Sequence, residues 1–244
     1  ADTVILPYLK GEGISKLDAL VVSHGDNDHA GGAKTILAGI KTQRLLTSVP
    51  SQFIDYPTTD CEGVPPWEWD EVTFEMMSSN RLGLLSGNNA SCVLRVSSIN
   101  GSILLTGDIE RLAEKILIKY HAGQLSSTVL IAPHHGSKSS STDEFIAAVS
   151  PQYVLFPVGY RNRFGFPKKS VMDRYLTRKI NVFDTSNDGG TPALFKTGMP
   201  PSVSSFRENN TRIWSCRQER VPDGEYNRDL TVHERVQTTY TESE

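Results

Sequence analysis

The stretch 23-SHGDNDHAGG-32 directly follows the apolar run 17-LDALVV-22. A short apolar run of this kind is typical of a strand buried inside a sheet. The polar residues that follow it therefore begin at the end of that strand. Four potential metal ligands then follow within six residues: His24, Asp26, Asp28 and His29. Borderline divalent ions accept imidazole nitrogen and carboxylate oxygen together. The pattern therefore predicts a metal site at the end of a buried strand.

An Asp-rich turn has a second interpretation, in which the aspartates cap the helix that follows. A cap accounts for one aspartate before a helix. It does not account for two histidines that flank two aspartates, so we favour the metal site.

Two later segments fit the same site. The run 105-LTGD-108 closes a strand with Asp108, although a strand followed by Gly-Asp is often only a turn. The run 133-PHHGSKSSS-141 also follows a strand and offers His134 and His135. Adjacent histidines cannot both point the same way along regular backbone. We therefore expect one of the pair to bind metal and the other to support the ligands or transfer a proton.

Composition restricts the class of protein. The chain has 244 residues, of which 38% are hydrophobic, and a net charge of −3, so attraction to nucleic acid requires a local basic patch. No apolar run approaches the roughly 20 residues of a membrane span, and the N-terminus lacks a signal pattern, so we expect the chain as given to be soluble.

Cys61, Cys92 and Cys216 form no CxxC pair. We interpret them as small buried residues or loop thiols that do not indicate the redox compartment.

Hydrophobic periodicity predicts short strands alternating with amphipathic helices, which indicates a layered α/β fold. Asn100-Gly101 is the strongest hairpin signal in the chain. The predicted helices cover residues 4–14, 33–40, 109–117, 142–149 and 170–176, and the predicted strands cover 17–22, 67–77, 91–98, 102–108, 128–132, 153–158 and a final pair near 182–183 and 193–195. We predict a loop from Thr47 to Pro66, one domain over residues 1–199, and a polar extension or disordered tail over residues 200–244.

The segment 160-YRNRFGFPKKS-170 interleaves cations with aromatic rings. The cations are Arg161, Arg163, Lys168 and Lys169, and the rings belong to Tyr160, Phe164 and Phe166. Cations neutralise phosphates and rings stack on bases, so the segment is typical of a single-strand contact. A solvated surface loop is the alternative. Lys138 could hold a phosphate from the opposite side.

The motifs together resemble a known family. HGDNDH is similar to the HxHxDH signature of the metallo-β-lactamase fold, with Asp26 where the second His usually stands. The order HxDxDHxGG, 88-NNASCVL-94, LLTGD, PHHGS and GYRNRFGFP resembles the metallo-β-lactamase-like domain of ComEC-type DNA-uptake proteins. The resemblance covers roughly Val4 to Lys196 and implies an αββα sandwich.

The resemblance also implies a site and a cellular role. It assigns one or two divalent metal ions to the following residues: His24, Asp26, Asp28, His29, Asp108 and one of His134 and His135. It further implies a membrane channel domain as neighbour, a place on the outer face of the cytoplasmic membrane, and degradation of the DNA strand that is not transported.

The chain departs from the family pattern in three places. The family fold begins with a β-hairpin carrying a D-x-G turn, and this sequence starts after it. Asn88, Asn89 and Ser91 lie where many hydrolases of the fold carry a histidine; together with Asp26 this shifts the ligands toward oxygen and favours Mn²⁺ over Zn²⁺. Phe166 stands where many members have His before Pro.

We therefore hypothesise a metal-dependent phosphodiesterase that acts on DNA. Asp28 and Asp108 orient the ion and its water, the spare histidine of the pair protonates the leaving oxygen, and Lys138 or Arg163 offsets charge on the phosphoryl oxygens. A non-catalytic DNA-guiding module is the rival from another class. A phosphodiesterase of cell-wall or small-molecule substrates is the rival among enzymes.

Overall fold

A computed structural model describes residues 1–77, 79–80 and 83–210 of the chain. The helices are α1 (Ile5–Gly11), α2 (Asn27–Ala30), α3 (Ala33–Gly39), α4 (Arg111–His121), α5 (Asp143–Val149), α6 (Lys169–Leu176), α7 (Thr185–Asp188) and α8 (Phe206–Asn209). The strands are β1 (Lys16–Leu17), β2 (Leu20–Val22), β3 (Lys41–Thr42), β4 (Leu45–Thr47), β5 (Thr59–Asp60), β6 (Trp67–Trp69), β7 (Val72–Met77), β8 (Val93–Ser98), β9 (Gly101–Leu105), β10 (Val129–Ile131), β11 (Tyr153–Phe156), β12 (Asn181–Asp184), β13 (Ala193–Leu194) and β14 (Ser202–Val203).

A seven-stranded mixed sheet forms the larger layer, in the order β12-β11-β10-β9-β8-β7-β6. Strands β6 to β9 pair antiparallel through hairpins, whereas β9 to β12 pair parallel. The Asn100-Gly101 hairpin joins β8 to β9 as predicted, with Ser98 opposite Gly101. A smaller parallel sheet has the order β2-β4-β5, and β1 pairs with β3.

Three apolar clusters show how these elements are layered. Val22 and Leu45 of the small sheet pack with Ala33 of α3 on its outer side. Leu46 of the small sheet packs against Met76 of the large sheet, which joins the two sheets face to face. The largest cluster lies between the large sheet and the helices on its other side, α4, α5 and α6. The order helix, sheet, sheet, helix is the predicted αββα sandwich.

This layering brings several strand ends to one edge. Parallel strands present their carboxyl ends at the same edge of a sheet, and loops there can converge on one ligand. Strands β9 and β10 are parallel neighbours. The Cys92 amide donates to the Ser23 carbonyl at 2.8 Å, which joins the end of β2 to the start of β8. The segments that carry the predicted ligands therefore meet between the two sheets.

Three sequence predictions of secondary structure need correction. The strand predicted over residues 17–22 is two strands, β1 and β2, which lie in different sheets. The loop predicted from Thr47 to Pro66 contains a 3₁₀ turn at Pro50–Phe53 and strand β5. The strand predicted over residues 67–77 is a β6–β7 hairpin, turned by Asp70 and Glu71 at φ 48° and 66°. Neither turn residue is the Gly or Asn that signals such a turn.

The end of the domain also differs from the prediction in detail. The strands predicted near 182–183 and 193–195 are present as β12, which pairs with β11, and β13, which pairs with β14. Residues 200–210, predicted to begin a loose extension, contain β14, α8 and the buried Ser205. Residues 211–244, with Trp214 and Tyr226, lie outside the described residues. The boundary between domain and extension stays a prediction.

The interpretation of the cysteines as unpaired residues is wrong for two of them. Cys61 and Cys92 form a disulfide across 31 residues of sequence. The loop before β6 and the start of β8 are adjacent only because the two sheets pack together, and sequence spacing does not reveal that contact. Cys216 lies outside the described residues.

Candidate metal centre

The motif that follows β2 folds into a tight turn and the single turn of α2. His24 is buried, with its side chain 1% exposed, whereas the side chains of Asp26 and Asp28 are 62% and 63% exposed. Asp26 occupies the N-cap position of α2, but its side chain makes no capping hydrogen bond. The capping interpretation therefore does not account for this aspartate.

Four of the predicted ligands form a compact group: Asp28, His29, Asp108 and His135. One ligand atom from each lies within 4.8 Å of every other, so all four can contact a common point. His29 Nε2 lies 3.1 Å from Asp108 Oδ1, and His135 Nε2 lies 3.3 Å from Asp28 Oδ2. Two imidazoles and two carboxylates in this arrangement are a donor set for a divalent cation.

His24 and Asp26 lie beside this group, and His24 also lies near Asp108. His24 Nε2 is 3.6 Å from Asp26 Oδ2 and 3.8 Å from Asp108 Oδ2. Within residues 1–77, 79–80 and 83–210, no hydrogen-bond partner reaches the buried Nε2 of His24. An unpaired buried nitrogen is costly unless something binds it, and a cation fits that nitrogen.

The two histidines of the PHHG turn point in different directions. Both have left-handed backbone angles, φ 48° for His134 and 52° for His135, and their ring planes differ by 67°. His135 directs Nε2 to the compact group and donates from Nδ1 to the Pro157 carbonyl at 2.8 Å. His134 directs Nδ1 to Glu110 Oε1 at 3.2 Å, with Nε2 3.9 Å from Asp108 Oδ2. The geometry assigns His135 to the compact group and leaves His134 at its side.

Small residues behind the ligands hold them in place. The Ser23 hydroxyl lies 2.9 Å from His29 Nδ1 and 3.2 Å from His24 Nδ1, so each histidine keeps Nε2 for the site. The Ser91 hydroxyl accepts a hydrogen bond from the Asp108 amide at 3.1 Å. Gly107 has φ 55°, and a Cβ there would lie 2.9 Å from the Cβ atoms of Ser23 and Ser91. Sequence reasoning missed Ser23, whose only signal is a hydroxyl next to a ligand.

The 88-NNAS-91 segment supports the site from the side of α4. Asn89 Oδ1 accepts hydrogen bonds from the Glu110 and Ala113 amides, both at 3.1 Å, and so caps the start of α4. Asn88 Nδ2 lies 3.5 Å from His134 Nε2. These asparagines therefore position the neighbours of Asp108 where other hydrolases of the fold carry a histidine.

The electrostatics of the group favour a cation. Burial alone raises the pKa of Asp108, but hydrogen bonds from His135 and His29 and the charges of both outweigh it and hold that pKa well below 3.8. The hydrogen bond to Asp108 raises the pKa of His135 to about 9, against burial, which lowers it. Burial, together with the nearby His29, lowers the pKa of His24 from 6.5 and keeps its imidazole neutral. Asp108 is thus an anion at neutral pH, and a metal ion competes with a proton for His135.

The predicted DNA-contacting residues lie on two segments, one directly after the PHHG turn and one hydrogen-bonded to that turn through the Lys168 amide. Lys138 is exposed on the PHHG turn. Arg161, Arg163 and Phe164 are exposed on the loop after β11, Lys168 is half-buried, and Lys169 begins α6. Phe166, which stands where many family members have His, packs its ring parallel to that of His135, with centroids 6.5 Å apart. A ring contact therefore occupies the position where the family resemblance predicts a further nitrogen ligand.

Several known proteins are similar to this chain in sequence. A profile of the Metallo-beta-lactamase superfamily matches residues 1–159. Competence protein ComA of Neisseria gonorrhoeae is 35% identical over 189 residues, which cover 78% of this chain and 27% of that protein. Recombination protein 2 of Haemophilus influenzae is 36% identical, with 78% and 24% covered, and ComE operon protein 3 of Bacillus subtilis is 30% identical, with 86% and 29% covered.

The chain spans about a quarter of the length of these relatives. Among the described residues, no helix is long and apolar enough to cross a membrane. Histidine and aspartate side chains that could hold a metal ion are grouped around the segment that contains Asp28 and His29. The chain belongs to the metallo-β-lactamase superfamily, and its relatives are competence proteins of the ComEC family.

Proposed function

We propose that this domain is a metal-dependent nuclease that degrades the non-transported strand of DNA during uptake. Membership of the superfamily supports a metal-dependent hydrolase. The relatives named as competence proteins support a role in DNA uptake. The nuclease activity is an inference from the surroundings of the metal centre, and the strand is an inference from the resemblance to ComEC-type proteins.

One observation carries the proposal: the segment 160–170, with its cations and aromatic rings, is hydrogen-bonded to the turn that holds His135. The Lys168 amide donates to the Gly136 carbonyl at 3.0 Å, and the His135 imidazole donates to the Pro157 carbonyl at the start of the loop. Gly136 has φ 83°, and a Cβ there would lie 2.7 Å from Pro167 Cβ, so the two segments touch. Cations and exposed rings beside a hydrolytic centre suit a polyanion with bases.

The chain's own groups have distinct roles in this proposal. Asp28, His29, Asp108 and His135 hold the cation, and His24 and Asp26 extend the donor set toward a second one. A divalent ion bound there supplies Lewis-acid chemistry, which eases ionisation of water and stabilises charge on phosphoryl oxygens. His134, held by Glu110, donates a proton from Nε2 to the leaving oxygen. Lys138 and Arg163 offset charge on the phosphate.

The donor set favours Mn²⁺ over Zn²⁺ as the activating ion. Asp26, Asp28 and Asp108 contribute carboxylates next to three imidazoles, and Phe166 stands in place of another nitrogen ligand. Carboxylate oxygens suit harder ions such as Mn²⁺, so a carboxylate in place of an imidazole moves the preference toward Mn²⁺.

The disulfide supports the proposed place on the outer face of the cytoplasmic membrane. Disulfides such as Cys61–Cys92 persist in oxidising compartments and are rare in the cytosol. The membrane channel domain remains the proposed neighbour, and DNA the proposed partner.

The test is hydrolysis of a labelled oligonucleotide in Mn²⁺ by the wild-type protein and by Asp28→Ala. We expect the variant to lose nearly all turnover, since a ligand contributes several kcal/mol to the transition state through the ion. Its fold should remain, because the Asp28 side chain is 63% exposed and buries little surface. Asp18→Ala, an exposed aspartate near the start of β2, is the matched control and should keep full activity.

Three outcomes separate this function from its rivals. Turnover in Asp28→Ala equal to wild type rules out the metal mechanism. DNA binding without hydrolysis in any divalent ion supports the guiding module. Hydrolysis of a bis-aryl phosphodiester without hydrolysis of DNA supports a small-molecule or cell-wall substrate.

A further inference from the structure

Three nearly parallel rings run from the surface of the protein to the metal centre. The Phe164 ring, on the outside, stacks on Phe166 with centroids 5.5 Å apart and planes 18° apart. The Phe166 ring stacks on His135 with centroids 6.5 Å apart and planes 16° apart. His135 is one of the four grouped ligands, so the stack begins at the site of hydrolysis.

Core packing explains the inner ring but not the outer one. Phe166 is half-buried and packs against the largest apolar cluster. Phe164 is 56% exposed and takes no part in that cluster. Contact with Phe166 fixes the orientation of the Phe164 ring, and more than half of the residue stays open to solvent.

The loop is held in this shape before any ligand binds. The Asn162 side chain donates to the Phe166 carbonyl at 2.7 Å and accepts from the Phe166 amide at 2.9 Å. The Lys168 ammonium donates to the Phe164 carbonyl, and its own amide is bonded to Gly136. Binding therefore costs little ordering of the loop.

Cations lie next to the rings. The Arg163 guanidinium carbon is 4.7 Å from the centroid of Phe164, and Lys168 Nζ is 5.3 Å from the centroid of Phe166. Because Arg163 lies over the Phe164 ring, a nucleobase that stacks there adjoins or displaces the guanidinium, which then contacts the adjoining phosphate.

We infer that the Phe164 ring is a stacking subsite for one unpaired nucleobase next to the phosphodiester that is cleaved. This inference rests on the proposed nuclease function and deepens it. A base exposes its face to Phe164 only where it has left its own stack, so a paired end must open before it is cut. Purines, with the larger face, should occupy the subsite better than pyrimidines.

The test is a scan in which an abasic nucleotide replaces each position of a single-stranded oligonucleotide in turn. For the wild-type protein in Mn²⁺, we expect kcat/KM to fall about tenfold or more when the base is missing at one position flanking the cut, the size of one base–ring stack. In Phe164→Ala the intact oligonucleotide should be cut more slowly, and the penalty at that position should vanish. Phe164→Trp should restore the penalty, whereas Phe164→Leu, apolar but not aromatic, should not.

Tyr120→Ala is the control for loss of an exposed ring beside a cation. Tyr120 is 52% exposed, with Lys119 Nζ 5.0 Å from its centroid, and lies at the C-terminal end of α4. This variant should show the wild-type pattern across the scan. A scan with no position-specific penalty in wild type, or a penalty that survives in Phe164→Ala, overturns the subsite.

A second measurement keeps this inference separate from the nuclease proposal. A 2-aminopurine base at the same position should lose fluorescence when the oligonucleotide binds in EDTA, and Phe164→Ala should abolish that loss. Quenching by wild type without cleavage in any metal refutes the nuclease but upholds base stacking on Phe164. Cleavage with equal fluorescence in wild type and Phe164→Ala refutes the subsite alone.

Discussion

At the residue scale, the hydroxyl of Ser23 shows how one small side chain sets the direction of two ligands. It contacts Nδ1 of both His24 and His29, so the two Nε2 atoms face the centre. Groups behind a ligand fix its orientation and tautomer and contribute to metal affinity. Among the residues that the structure describes, no hydroxyl supports Asp26 in this way, and its carboxylate is exposed beside His24 Nε2.

The place of Asp26 leads to a prediction about metal preference. Asp26→His replaces an oxygen donor by the nitrogen that the superfamily motif usually has there, so the ratio of Mn²⁺- to Zn²⁺-supported rates should fall. The ratio is measured at saturating metal, because Zn²⁺ binds more tightly whatever the function. Asp26→Asn, which keeps the size and removes the charge, is the control for loss of the aspartate. An unchanged ratio in Asp26→His means that Asp26 is not a ligand.

At the scale of elements, the loop after β11 combines fixed geometry with exposed charge. Arg161 and Arg163 are exposed, whereas the Lys168 ammonium is bonded to the Phe164 carbonyl within the loop. The two arginines are therefore better probes of phosphate contact than Lys168, whose loss also disturbs the loop.

Arg163→Ala should weaken DNA binding about equally for all sequences. It should also reduce the slope of log affinity against log salt by about one, because each phosphate contact releases roughly one counterion. Binding is measured by fluorescence anisotropy over a range of salt concentrations. Lys119→Ala, at the C-terminal end of α4, should leave the slope unchanged. If Arg163→Ala and Lys119→Ala give the same slope, the loop is a solvated surface.

A second element-scale contact links α4 to the segment that follows the PHHG turn. Glu114 on α4 is fully buried, and its carboxylate accepts hydrogen bonds from the Ser141 and Thr142 amides. Arg174 on α6 donates to the Ser140 and Ser141 carbonyls from the other side. Burial raises the pKa of Glu114 above 4.5, against these hydrogen bonds and the charge of Arg174.

This raised pKa gives stability a definite pH dependence. The folded chain binds the Glu114 proton more tightly than the unfolded chain, so the stabilisation is complete below pH 4.5 and is lost as pH rises through the folded pKa. One such proton changes the free energy of unfolding by at most about 1.4 kcal/mol per pH unit.

Glu114→Gln should remove this dependence. Urea unfolding of wild type and variant at pH 5 and pH 8 gives the difference in free energy, which should shift in favour of Gln at the higher pH. A difference that stays constant between the two pH values contradicts the assignment.

At the scale of the whole molecule, the disulfide joins the two sheets behind the site. Cys92 adjoins Ser91, which holds the Asp108 amide, and Cys61 follows β5 of the small sheet. Closing 31 residues in the unfolded chain corresponds to about 3–4 kcal/mol of stability in the chain-entropy account.

Replacing both cysteines, as Cys61→Ser with Cys92→Ser, should lower the free energy of unfolding by about this amount. Urea unfolding with and without a reductant provides the measurement, because reduced wild type should approach the double variant. Equal stability of oxidised wild type, reduced wild type and the variant contradicts a structural role for the disulfide.

Much of the architecture is already present in local sequence patterns. Apolar runs that end in polar clusters identified β2, β9 and β10, and with them the segments that hold His24, Asp108 and His135. Asn100-Gly101 identified the β8–β9 hairpin because its turn chemistry is local. Helices α3 to α6 were predicted from periodicity for the same reason.

Only the tertiary structure decided the features that depend on contacts between distant segments. The folded PHHG turn, with left-handed backbone at both His134 and His135, places His135 among the ligands and His134 beside them. No spacing rule predicts which of the two adjacent histidines joins the ligands. The Cys61–Cys92 bond follows from the packing of two sheets, and the stack of Phe164, Phe166 and His135 follows from the contact of one loop with another turn. The sequence determined which chemistry was available at each strand end. The long-range packing of the sheets determined which of those groups meet, because packing energy depends on neighbours that local sequence does not contain.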